Sequence, residues 1–385
     1  MKQFIYADNA ATTKLDIDAF EAMKPFLLDE YGNASQPYSF ARKPKQALKE
    51  ARTIIAQCIN ADPEEIFFTS GGTESDNWAI KGVAFANPEK HAIITSQIEH
   101  HAVLRACADV EQLGYPVVYL PVTTKGVVTT EALNSAITSN TRLVSVMYAN
   151  NEIGTIEPIK ELCEIAHHNG TLFHTDAVQA VGHIQIDVKE LRVDMLSASA
   201  HKFNGPKGIG FLYIKKGTPI ASYASGGAQE FGMRAGTENI ASIVGMAAAL
   251  KKNCETIGEN SKYIETLETT LMRYLSVAGM NFIRNGSDQH IPGNVSLSFV
   301  DCDGEMLLHR LDLMGICVST GAACDTASTK VSHVLEAINL NRKYAKGTIR
   351  ISLGKENTLN DIETIANSIL KILHSENYRK YKITV

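Results

Sequence analysis

Lys202 is the residue from which the chemistry of this chain reads outward. The apolar pair Met195-Leu196 gives way to the small and hydroxylated residues Ser197-Ala198-Ser199-Ala200. His201-Lys202 then enters the loop Phe203-Asn204-Gly205-Pro206-Lys207-Gly208, and an apolar segment, Ile209 to Ile214, follows. The pattern predicts an amine at the mouth of a sheet, on backbone held by tight turns. Such an amine can form a Schiff base with an aldehyde if its neighbourhood lowers its pKa. Most lysines are solvated surface groups, so this reading depends on partners elsewhere in the chain.

Several partners are present. Ile66-Phe67-Phe68-Thr69 is a strand-like run that enters Ser70-Gly71-Gly72-Thr73-Glu74, and a helix through Ala79 to Phe85 is expected just after it. Helix N-termini expose unpaired N–H groups and the positive end of the dipole, which suits an anion such as phosphate. The same pattern also serves as a plain tight connection, and it matches neither GxGxxG nor a Walker loop. Asp176 ends the run Thr171 to Thr175, where a buried carboxylate needs a cation or a donor. Capping the next helix is its competing role. His100 follows the strand Ala92–Ser96; one flat imidazole there could lie over a ring and shuttle protons. The pair His100-His101 lacks a third ligand at metal-site spacing, so no metal is expected.

Gly226 to Asn239 is glycine-rich and contains Thr237, a second candidate phosphate contact. Cys324 lies in Ser319-Thr320-Gly321-Ala322-Ala323-Cys324-Asp325-Thr326, a segment too polar for core and suited to an accessible nucleophilic thiol. Arg350, in the alternating run Thr348–Leu353, suits bidentate binding of a carboxylate, or faces water on an edge strand.

These residues must be positioned by regular elements. The 385 residues are 44% hydrophobic and 21% charged, with net charge −5, an ordinary globular composition that points to neither nucleic acid nor an anionic membrane. No apolar run approaches a bilayer span of roughly 18–20 residues, and Asp8 comes too early for a secretion signal. Seven cysteines without a CxxC pair fit a reducing cytoplasm. Strands and helices alternate through residues 66–214, which predicts an α/β fold with a mostly parallel sheet and ligands at the carboxyl ends of its strands. Two helices, Ile240–Leu250 and Asn260–Ser276, are expected before an α+β region. The expected division is a large domain, 15–260, and a small one formed by 1–14 and 261–385.

Taken together, the chain resembles the cysteine desulfurases of the class V aminotransferase-like group, fold type I pyridoxal phosphate enzymes. The resemblance runs from Tyr6-Ala7-Asp8-Asn9 to Ile349-Arg350-Ile351-Ser352. Its most specific pieces are Ser70–Asn77, Asn150–Gly154, His174–Gln179, Ser199–Lys202, Gly232–Asn239 and Gly321–Cys324. It implies a large domain with a seven-stranded sheet and a smaller α+β domain. It implies that Lys202 holds pyridoxal 5'-phosphate covalently and removes the substrate Cα proton, that Asp176 faces the pyridine nitrogen, that Gln179 contacts the phenolic oxygen and that His100 stacks on the ring. Gly72, Thr73, Ser199 and His201 would hold the phosphate, with Thr237 reaching the partner subunit's site in a homodimer. Asn33, Asn151 and Arg350 would orient the carboxylate of L-cysteine, and Asn151 would also border the cofactor. Cys324 would accept the sulfur as a persulfide and, as in the longer-loop subgroup, pass it to an acceptor such as an iron–sulfur scaffold or a thiolation protein. Two positions depart from the family pattern. Tyr38 stands where a histidine is common, and Phe231 where an arginine is common. A selenocysteine lyase or another class V enzyme is the nearest alternative. A sulfur-carrying docking platform is the non-enzymatic one, although it would not need Lys202, Asp176 and His100 together.

Overall fold

A computed structural model describes residues 4–86, 91–320 and 331–374. After the short strand β1 (Ile5–Tyr6), the chain forms β2 (Ile66–Thr69), β3 (Ala92–Ser96), β4 (Val117–Leu120), β5 (Thr141–Ser145), β6 (Leu172–Asp176), β7 (Met195–Ser199) and β8 (Gly210–Ile214). These seven form one sheet in the order β2-β8-β7-β6-β5-β3-β4. The neighbours from β7 to β4 pair in parallel, whereas β8 pairs antiparallel with both β2 and β7. Six strands therefore deliver their carboxyl ends to one edge. β8 alone starts there, with Gly210 opposite Thr69 and Ser199.

The two faces of the sheet bury alternate side chains, as the period of two dictates. Phe68, Phe173 and Phe211 join one core with the helices Arg42–Cys58, Ile159–His168 and the start of Ile240–Val277. Phe67, Leu143 and Leu212 join the other with Trp78 of the helix Gly72–Ala86 and Val103 of the helix His101–Gln112.

A third core lies under β9 (Phe282–Arg284), β10 (Asn294–Phe299), β11 (Ile316–Cys317) and β12 (Thr348–Ser352). Here β12-β10-β9 is antiparallel, and β1 pairs in parallel with β11. The two helices expected after Asn239 are one continuous helix, Ile240–Val277. No proline interrupts residues 251–263, and Gly258 alone costs only about 1 kcal/mol relative to alanine. The helix buries Ile243 to Leu250 in the first core and Ile264 to Leu275 in the third. Its polar middle crosses between them.

Candidate functional site

The carboxyl edge of the large sheet opens into a cleft of about 790 Å³. Its lining includes Gly72, Thr73, His100, Asn151, Asp176, Gln179, Ser199, His201, Lys202 and Arg350. Residues scattered across nearly 280 positions thus share one cavity, contributed by β2, β3, β5, β6 and β7 from one side and by β12 from the other.

Lys202 sits in the turn between the antiparallel neighbours β7 and β8. Its Nζ donates to the carbonyls of Ala10 and Ala11, at 2.5 and 2.9 Å. The segment carrying those carbonyls is stitched to both sides of the cleft. Thr13 Oγ1 donates to the His201 carbonyl, Ala10 N donates to Ser352 Oγ, and Gln179 Nε2 donates to Ala10 O. Three residues from three parts of the chain therefore set the height of one amine.

The glycines at the edge answer to close approach. A Cβ on Gly210 would lie 2.4 Å from Ala198 O and 2.7 Å from Gly71 Cα. A Cβ on Gly72 would lie 2.5 Å from Val178 Cγ2. Gly72 begins the helix Gly72–Ala86, earlier than the sequence pattern suggested, so its first turn opens directly onto the cleft beside Ser199 and His201. This is a cradle for an anion at a helix N-terminus. Glu74 does not spoil it, because Arg234 pairs with that carboxylate at 2.8 Å and Ser70 donates to it.

Asp176 is 5% exposed, and its Oδ1 accepts the Val178 N–H at 2.9 Å. Burial raises its pKa, with His100 and Lys202 pulling the other way. Strand alternation turns His174 and Asp176 to the face covered by the helix Gly72–Ala86, where Asp76 is also buried. Burial and the Asp176 charge push Asp76 well above the usual carboxylate range, and among the described residues its Oδ1 has no hydrogen-bond partner. His174, bonded to Ser145 Oγ and Ser197 Oγ at 2.9 Å each, is held neutral by burial, its pKa lowered to about 3. Burial also lowers the pKa of the His100 imidazole, with the Asp176 charge pulling the other way. Its Nδ1 accepts the Ala102 N–H, which leaves the hydrogen on Nε2.

Asp76, His100 and Asp176 bring ligand-type atoms within 4.8 Å of one another. A metal would suit that triad taken alone. With Lys202 and the helix N-terminus in the same cavity, the set fits a planar cationic ring carrying a phosphate: a cation for buried Asp176, an anion for Gly72 and Thr73, an aldehyde for Lys202.

Arg350 is 4% exposed. Its Nη1 donates to Asn151 O at 2.8 Å and its Nη2 meets Asp8 Oδ1 at 2.7 Å. It faces the cleft from the small sheet and is no solvated edge arginine.

Asn33 and Thr237 are outside the cleft lining. Asn33 Oδ1 accepts the Ser35 N–H, and Thr237 is exposed on the surface of this chain. Cys324 lies outside the described residues. Sequence reasoning passed over Glu99, Glu152 and Asp76, three buried carboxylates of the cleft wall. Burial raises Glu99 to about 8 and Glu152 to about 7. Asp76 could have been found from its spacing, because it falls on the helix face of Gly72 and Thr73. Of the two departures, Tyr38 is half exposed. Phe231 packs edge-on against Phe67, with the Arg52 guanidinium 5.1 Å from its ring centre. Arg52 in turn pairs with Glu230 at 2.6 Å. An aromatic ring here covers an internal ion pair.

A mostly parallel sheet whose edge gathers a lysine, a buried aspartate and an open helix N-terminus defines an α/β enzyme of the pyridoxal phosphate type. Comparison with known proteins agrees. Residues 5–365 match the family model for class-V aminotransferases. A curated "Cysteine desulfurase IscS" from Clostridium botulinum strain Hall is 47% identical over 377 residues, covering 97% of this chain and 95% of the relative. Among solved structures, a "NifS-like protein" superimposes with a TM-score of 0.91 at 39% identity, covering 96% of this chain and 99% of that one. A structure described as "SspA in complex with cysteine" gives 0.81 at 36% identity, over 92% of this chain and 100% of that one. The chain belongs to the class-V aminotransferase family, whose members use pyridoxal 5'-phosphate.

Proposed function

We infer that this protein is a cysteine desulfurase: L-cysteine and the thiol of Cys324 give L-alanine and a Cys324 persulfide. The carbon–sulfur bond of the substrate breaks, a sulfur–sulfur bond forms, and the Cys324 hydrogen is returned to the products, so no outside oxidant or reductant is consumed. The observation that carries the reading is the convergence of Lys202, Asp176, His100 and Arg350 on one cavity, together with relatives of that activity along nearly the whole chain.

Pyridoxal phosphate, when bound, supplies a ring that withdraws electrons from the substrate Cα. Lys202, Asp176, Gln179, Gly72, Thr73, Ser199 and His201 are the residues that would hold it. Arg350 binds the substrate carboxylate, with Asn151 beside it. Lys202 Nζ accepts the Cα proton. His100 offers an imidazole that holds or returns a proton near the reacting centre.

The finer reading is a homodimer in the cytoplasm in which Thr237 acts across the subunit boundary and the persulfide passes to an acceptor protein for iron–sulfur or thio-cofactor assembly. The position of Thr237 outside the cleft of its own chain supports the first part, and the desulfurase names of the relatives support the sulfur transfer. Among the described residues no helix is long and apolar enough to cross a membrane.

The test is Cys324→Ser. The variant should still change the visible spectrum on adding cysteine, yet release little sulfide and carry no persulfide on residues 321–330 by mass spectrometry. Sulfide at the wild-type rate would show that Cys324 is not the acceptor. Turnover of a keto acid would make the enzyme a transaminase.

A further inference from the structure

The lysine turn is also held from outside the cleft. Successive carbonyls of the turn between β7 and β8, those of His201, Lys202 and Phe203, each accept a side-chain hydrogen bond from a different part of the chain. Thr13 Oγ1 donates to His201 O at 2.9 Å, His183 Nε2 to Lys202 O at 2.8 Å, and Asn253 Nδ2 to Phe203 O at 2.7 Å. These donors line a second, smaller cavity of about 70 Å³, and none of them is among the described residues that line the cleft.

We propose that His183 is a positioning residue for Lys202: it holds the lysine's own carbonyl and so fixes where the amine stands in the cleft, without touching substrate or cofactor. The proposal rests on the reading of Lys202 as the amine that carries pyridoxal phosphate.

The local sequence is built for this contact. His183 follows Asp176 and Gln179 in the segment after β6. Gly182 before it has φ +79°, and a Cβ there would lie 2.6 Å from Phe203 Cβ. Glycine is what allows the two segments to come this close. Gln179 donates to Ala10 O, which is itself an acceptor for Lys202 Nζ. One short stretch therefore grips Lys202 at both ends, its carbonyl directly and its amine through Ala10. A carbonyl can only accept, so the histidine hydrogen is on Nε2. Removal from water lowers the His183 pKa, which favours the neutral ring in this role.

Of the side-chain bonds to these carbonyls, the one from His183 falls on the residue that bears the amine. Losing it loosens the peptide between Lys202 and Phe203, while Thr13 and Asn253 keep the flanking carbonyls in place. The turn stays folded and the amine loses its setting. Misplacing a reacting group by about 1 Å costs up to about a hundredfold in rate.

The experiment compares wild-type holoprotein with His183→Gln, His183→Leu and His183→Asn. Glutamine presents an amide N–H near the place of Nε2. Leucine has no donor. The asparagine amide stops short, near the place of Nδ1, and serves should the leucine variant not fold. Two quantities are read: alanine formation against cysteine concentration, and the pH titration of the visible band of bound pyridoxal phosphate, which reports the setting of the Lys202 nitrogen. The glutamine variant should keep most of the wild-type kcat and titrate as wild type does. The leucine and asparagine variants should lose about ten- to a hundredfold in kcat, with KM for cysteine little changed and the titration displaced. Wild-type kcat and titration in those two variants would overturn the proposal. So would a loss of kcat in all three variants that tracks their thermal midpoints, because a merely structural residue behaves that way. A wild-type holoprotein without a visible band would overturn the reading of Lys202 and this inference with it; a normal band indifferent to His183→Leu would overturn this inference alone.

Discussion

Arg350→Lys isolates the recognition of the substrate carboxylate. The replacement keeps the charge but loses the planar fork, which binds carboxylates with two parallel bonds. In the structure that fork is held rigidly by Asn151 O and Asp8 Oδ1, and Arg350 Nε has no hydrogen-bond partner among the described residues. Losing one charged hydrogen bond to substrate costs about 1.5–3 kcal/mol, and at about 1.4 kcal/mol per decade this is roughly a 10- to 150-fold fall in kcat/KM. Alanine is the wrong replacement, because it would leave Asp8 facing a void and mix stability with binding. The assay is initial alanine formation over a range of cysteine concentrations, repeated with cysteamine, which lacks the carboxylate. Wild type should favour cysteine strongly and Arg350→Lys should lose most of that preference, with the thermal midpoint little changed. If Arg350→Lys kept its preference for cysteine over cysteamine within threefold of wild type, the carboxylate would bind elsewhere and the reading of this side of the cleft would fail.

Three further outcomes follow from the same geometry. Asp176→Asn removes the buried carboxylate offered to the ring nitrogen; the visible band of the bound cofactor should shift and alanine formation should fall at least a hundredfold, and an unchanged spectrum would contradict the assignment. Gly72→Ala places a Cβ against Val178 Cγ2, overpacking that costs about 1–3 kcal/mol, and equilibrium dialysis should show weaker retention of pyridoxal phosphate at equal protein fold. Glu99 has a folded pKa raised to about 8 from 4.5, so the native state binds more protons than the unfolded chain in that window. Stability should fall as pH rises from about 4.5 to about 8, and Glu99→Gln should flatten the dependence of the thermal midpoint on pH; an identical slope in both proteins would refute it.

Much of this arrangement could be read from the chain itself. The strand ends at Thr69, Ser96, Asp176 and Ser199 were visible as apolar runs that stop at small or polar residues, and these ends are where the cleft residues sit. Periodicity speaks to one element at a time, and the misses follow from that. It could not show that β8 runs against its neighbours, because an antiparallel strand buried on both faces has the same composition as a parallel one. The helices Ile240–Leu250 and Asn260–Ser276 looked separate because the residues between them are polar, yet their polarity reflects passage between two cores. Asp76, Glu99 and Glu152 escaped notice because a buried carboxylate and a surface one are the same letter. Their environment is built in part by residues far away in the chain, such as Met147 beside Glu99 and Ser332 beside Glu152.

The reversed strand has a consequence for how the lysine is held. Had β7 been followed by a helical crossover, as β3 and β6 are followed by helix or long loop, residue 202 would have opened a helix and competed with anions for its free N–H groups. Because β8 returns along β7, the amine rides on a bend between two paired strands, and nearby donors are spent on the bend and the N-terminal segment: Phe203 N on Ala200 O, Asn204 N on Thr13 Oγ1. Grip on the phosphate is then shared between the glycine start of another helix and the side chains of Ser199 and His201 beside the lysine. The fold thus lets the hairpin that carries the reactive nitrogen also close one side of the anion seat, so a substitution that shifts this bend moves both together.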